Sequence, residues 1–168
     1  MDGARSPGIE VDVLIEADGW AVLPEAGTLA ERAVRAALLE AAEMEPGEAF
    51  EMSVTLTDDA RIRILNRDWR GKDKPTNVLS FPAADVPDDV TPVPLGDVIV
   101  ALETVEAEAK DEDKRLADHF VHLVVHGTLH LLGFDHEDED EAEEMEDTER
   151  RILQGLGISD PYAMPADI

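Results

Sequence analysis

Two early stretches alternate apolar and polar positions, GIEVDVLIE over 8–16 and AFEMSVTLT over 49–57, the period of a half-buried strand. Between them, GTLAERAVRAALLEAAEME carries its apolar residues at helical spacing, with Thr28 as N-cap and Pro46-Gly47 beyond its end. The helical period returns in DARIRILNRDWR, where Ile62, Leu65 and Trp69 share one face. Thr57 or Asp58 offers that helix an N-cap, and Gly71 a stop. NVLSFP and LGDVIVAL predict two more strands, separated by the proline- and aspartate-rich loop AADVPDDVTPVP. Three further helices are expected in ETVEAEAKDEDK, in VHLVVHGTLHLLG and in EDEDEAEEMEDTERRILQGLG. The tail GISDPYAMPADI turns at Asp160-Pro161.

Strands and helices interleave without an internal repeat or a linker. The fold class is therefore α+β: one compact domain over residues 1–168, a small mixed sheet packed against several helices, with a short flexible tail from about 160 to 168. Two early strands separated by a helix point to a parallel pair. A chain of 168 residues is long enough to bury about 70% of its unfolded surface.

Composition narrows the chemistry. The absence of cysteine excludes disulfides and thiolate metal sites. The N-terminus shows no basic start followed by an apolar run, and no apolar stretch reaches bilayer length, so a soluble cytoplasmic protein is expected. The formal net charge of −26 argues against a broad electrostatic footprint on nucleic acid. The acid concentrates after His136, in EDEDEAEEMEDTE, which reads as a solvated helix face. Base is concentrated too: Arg61, Arg63, Arg67, Arg70, Lys72 and Lys74 fall within one short segment. That cluster suits either a grip on phosphate backbone or surface pairing with Asp58, Asp59 and Asp68.

The richest chemistry lies in HGTLHLLGFDH. His126 and His130 stand four apart in a helical stretch, which advances about 6 Å and leaves the side chains roughly 40° apart around the axis. Both rings can therefore reach one ion. Gly133 lets the helix stop and the chain turn back, bringing His136 in as a third ligand. His122 also precedes His126 by four, but a straight row of three would span about 12 Å, too long for one zinc. His122 is expected beside the site, and His119 as a plain helix residue. Three imidazoles with an open fourth position describe a catalytic zinc, one per chain, able to activate water or polarise a carbonyl or phosphoryl oxygen. Such imidazole sites accept nickel and copper as well. In the helical metalloprotease motif HExxH a glutamate follows the first histidine; here Gly127 stands there and supplies no base.

HGTLHLLGFDH resembles the signature of the YbeY family, bacterial metal-dependent endoribonucleases implicated in ribosomal RNA maturation and ribosome quality control. LNRDWRGKDKPTNVLSFP and LGDVIV resemble further shared blocks of that family, in the same order, and GISDPY resembles its usual ending. Together these span roughly residues 65–163, with Phe134 where the family often has tyrosine. The resemblance implies that His126, His130 and His136 bind zinc, and that Arg70 is the functional arginine near the metal. A guanidinium forms two parallel hydrogen bonds to phosphate oxygens, which suits that role; a salt bridge with Asp68 or Asp73 is the alternative. The function implied is a single-strand-specific, zinc-dependent endoribonuclease acting on ribosomal RNA. The strong negative charge assigns much of the specificity to the small ribosomal subunit or a ribosomal protein. A zinc metalloprotease-like hydrolase, or a ribosome assembly factor with a structural zinc, are the other readings; for the latter the sequence supplies no fourth ligand of usual type at a fixed spacing, although Asp135 could bend in.

Overall fold

The computed structural model describes residues 8–42, 47–87, 89–134 and 138–158. The expected tail from about 160, the third histidine His136 and Asp135 lie outside these residues. In chain order the elements are β1 (Gly8–Ile15), α1 (Ala26–Ala41), β2 (Ala49–Thr57), α2 (Asp59–Arg70), β3 (Val78–Pro82), β4 (Val93–Ala101), α3 (Leu102–Asp111), α4 (Leu116–Leu131) and α5 (Glu139–Gly155). A 3-10 turn, Asp18–Val22, precedes α1.

The four strands form one mixed sheet in the order β1-β2-β4-β3. β1 pairs parallel with β2, and β2 parallel with β4, while β3 runs antiparallel to β4 at the edge. The parallel pair expected from the early strands is present, and so is the single α+β domain.

Local chemistry sets both ends of α2. Asp58 caps α2, its side chain accepting the Arg61 N–H at 2.9 Å. Gly71 closes the same helix in the left-handed conformation at φ 71°, which an L side chain rarely adopts. The expected cap at Thr28 is not realised. α1 begins earlier, at Ala26, because the Leu23 carbonyl already accepts the Ala26 N–H at 2.9 Å and draws Thr28 into the first turn.

α4 is the central helix. Phe120, Val124, Val125 and Leu129 are fully buried on it, and it packs against α1, α5 and the β3–β4 edge of the sheet. At Gly127 the helix approaches the sheet so closely that an added Cβ would lie 2.9 Å from Val98 Cγ1 and 3.1 Å from Ser80 Oγ. Val98 is fully buried and β-branched, so it has little freedom to yield. The Ser80 hydroxyl donates to the Gly127 carbonyl at 3.0 Å, tying β3 to the helix at that crossing. Glycine is thus required here for packing.

The apolar stripe expected on α2 is only partly buried. Ile62 is fully buried and Leu65 half-buried, but Trp69 is 72% exposed. The sheet ends at β3, so the C-terminal turn of α2 runs past its support.

Candidate metal centre and its cleft

The four-residue spacing brings His126 and His130 together as expected: their Nε2 atoms lie 3.1 Å apart, with the rings nearly perpendicular at 79°. Two nitrogens bound at ~2.0–2.1 Å to one tetrahedral zinc stand roughly 3.3 Å apart, so this pair is spaced for a shared ion. Gly133, at φ 98°, follows the end of α4, where the chain turns. Among the described residues no group of three histidine or carboxylate side chains completes a metal cage.

The orientation of His126 is set from behind. Its Nδ1–H donates to Glu149 Oε2 at 2.5 Å, which leaves Nε2 with the lone pair that a metal needs. The second carboxylate oxygen accepts from His122 Nε2 at 3.3 Å. Glu149 is fully buried on α5. Burial opposes its charge, but hydrogen bonds from His122 and His126 outweigh that cost and hold the carboxyl at about 2, well below the usual carboxylate range. His122 therefore stands beside the site, edge-on to His126 with ring centroids 6.3 Å apart.

The sequence reading missed Glu149, although its position carried a signal. It falls four residues after Met145 and three before Ile152, both buried, so helical periodicity puts this one carboxylate on the apolar stripe of α5. His119 is also more than a plain helix residue. It is buried, and its Nε2–H donates to Glu108 Oε1 at 2.9 Å, while Asn77 Nδ2 donates to the same carboxylate at 3.0 Å.

These groups open on a cleft of about 800 Å³, lined by His126 and His130 on one side and by Arg70, Asn77, Ser80 and Glu108 among others. Arg70 closes α2 and enters this cleft. The two carboxylates that would otherwise compete for it are engaged elsewhere: Asp68 pairs with Arg67 at 2.9 Å, and Asp73 with Arg63 at 2.8 Å. The Arg63 hydrogen bond holds the Asp73 carboxyl below its ordinary range. Asn77 and Ser80 both face the cleft, each already committed to a structural hydrogen bond.

The arrangement offers two converging imidazole nitrogens and a guanidinium across one cleft. The fixed tautomer of His126 suits zinc, and the residues present fit such an ion. No helix is long and apolar enough to cross a membrane among the described residues.

The chain is similar to known proteins over most of its length. A family model described as endoribonuclease YbeY matches residues 24–157. An endoribonuclease YbeY of Azorhizobium caulinodans is 67% identical, over 95% of this chain and 99% of its own length. One from Allorhizobium ampelinum is 51% identical, over 92% of this chain and 95% of its own. The solution structure of a Thermotoga maritima protein superposes with a TM-score of 0.51 at 26% identity, covering 92% of this chain and 99% of that one. With the match spanning most of the chain, from α1 to the end of α5, this protein belongs to the endoribonuclease YbeY family.

Proposed function

We propose that the protein is a zinc-dependent endoribonuclease that cleaves single-stranded ribosomal RNA during maturation and ribosome quality control, in the cytoplasm and beside the small ribosomal subunit. One observation carries this reading: the converging Nε2 atoms of His126 and His130 share a cleft with Arg70, a guanidinium that has no ion pair among the described residues.

His126, His130 and His136 would hold the metal. A bound zinc supplies Lewis acidity toward a phosphoryl oxygen and acidifies water. Arg70 binds the phosphate through two N–H donors and stabilises the charge that builds on its oxygens as the strand breaks. Glu149 keeps the Nδ1 proton on His126 and the ring in place. Ser80 fixes β3 against α4, so that the phosphate-binding and metal-binding sides keep their separation.

Peptide hydrolysis is not favoured, because the motif position of its base is Gly127, where the sheet leaves no room for any side chain. The test pairs metal content with cleavage of ribosomal RNA for the wild type and His130→Ala. One zinc per chain, with both metal and cleavage lost in the variant, is expected. Stoichiometric metal without cleavage in the wild type would overturn the nuclease reading.

A further inference from the structure

Trp69 is the most exposed of the large hydrophobic side chains among the described residues, at 72%. An aromatic of this size left in water is a large loss of available burial, and Trp20, by contrast, is 2% exposed. The indole is not loose, however. It meets Phe81 edge-to-face, with ring centroids 6.0 Å apart and planes at 68°, a contact that positions it while leaving most of its surface open.

Its surroundings identify what it faces. Phe81 and Ser80 are neighbours on the edge strand β3, so the pleat points them to opposite sides of the sheet. Ser80 looks into the metal cleft, and Phe81 packs with Ile62 and Leu79 under α2. Trp69 thus stands just around the edge of β3 from the cleft, and the next residue, Arg70, reaches into it. Arg63 and Arg67 are neutralised by Asp73 and Asp68. Among the described residues Arg70, Lys72 and Lys74 have no such carboxylate partner, so the uncompensated positive charge of this segment lies on residues that follow Trp69 closely in the chain.

A chain of net charge −26 cannot rely on a wide phosphate contact for affinity. Stacking does not have that dependence on charge, since every base has a π-face. We propose that Trp69 is a stacking platform for one base of the RNA strand whose backbone enters the cleft past Arg70. This rests on the ribonuclease reading above. It also gives a physical origin for single-strand preference: in a duplex the bases are already paired and stacked, and only an unpaired base can lie on the indole.

The test uses the full-length protein and a short single-stranded oligoribonucleotide with 2′-O-methyl sugars, which blocks attack by the 2′-hydroxyl. Binding should quench tryptophan emission, with Trp69 as the responding ring because Trp20 is enclosed. Trp69→Ala should weaken binding by about 5- to 150-fold, the range one stacked base supplies, while Trp69→Phe retains most of it. The unfolding temperature should hardly change, as the side chain is mostly in water. A perfect duplex of the same sequence should not quench. Equal affinity of Trp69→Ala and wild type, or binding without quenching, would overturn the platform and return Trp69 to a contact for a protein partner. The two readings fail separately. Cleavage that depends on His130 but is indifferent to Trp69 sinks the platform alone. Quenching by the methylated strand, with no cleavage of an unmodified single-stranded RNA of the same sequence by the zinc-loaded protein, sinks the nuclease and leaves the platform.

Discussion

Nδ1 of His126 lies 2.5 Å from Oε2 of Glu149, and on the far side of the same ring Nε2 faces His130. One imidazole is thus clamped between a buried carboxylate and a second imidazole. Removing the carboxylate should release the ring's tautomer and orientation. Glu149→Gln is expected to weaken zinc binding by roughly 10- to 100-fold, measured by competition with a chromophoric chelator. Affinity equal to wild type would show that α4 alone orients the ring.

Arg70→Ala should lower cleavage of single-stranded RNA by about 100-fold or more, in line with the loss of one well-placed donor to developing charge. Metal content and unfolding temperature should stay as in wild type, because Arg70 is exposed and lies outside the ligand set. Arg70→Lys should recover only part of the rate, since an ammonium cannot make the paired hydrogen bonds. A fully active alanine variant would remove Arg70 from the mechanism.

Gly127→Ala tests the close approach of α4 to the sheet. Alanine is worth about 1 kcal/mol over glycine within a helix. Against this, its Cβ would meet Val98 at 2.9 Å in a site with no slack, and overpacking costs about 1–3 kcal/mol. The packing effect should win, with a net loss of up to about 2 kcal/mol in denaturant unfolding. A more stable variant would mean that α4 can shift away from β4.

Chelation should leave the protein folded. The core around α4 is built from Phe120, Val124, Val125 and Leu129 and needs no metal to close. The far-ultraviolet dichroism is expected to persist after metal removal. The stability lost should be only that of ligand linkage, about 2.7 kcal/mol when free zinc stands at a hundred times its dissociation constant. Collapse of the dichroism on chelation would instead favour a structural zinc and the assembly-factor reading.

Much of this could be read from local pattern. The run AFEMSVTLT coincides with β2, Asp58 and Gly71 bound α2, and the histidine spacing places His126 against His130. What escaped was set by partners distant in sequence. Glu149 meets His126 from another helix, and only its place on the apolar stripe of α5 hinted at burial. Trp69 follows the helical period of Ile62 and Leu65, yet the sheet ends before it, a fact of strand order that periodicity does not contain. The freedom of Arg70 likewise depends on Arg63 and Arg67 having taken Asp73 and Asp68.

The position of β4 bears on how the enzyme comes into being. It lies between β2 and β3, yet it follows both in the chain. While a ribosome is still making the first ninety or so residues, β3 has no strand to pair with, and the arm that carries Arg70 has no wall to stand against. The imidazoles arrive later still, on a helix that must lie down across β3 and β4 together. A nascent chain therefore keeps Arg70 apart from His126 and His130 until β4 and α4 have both been made, and His126 gains its Glu149 partner only once α5 has docked.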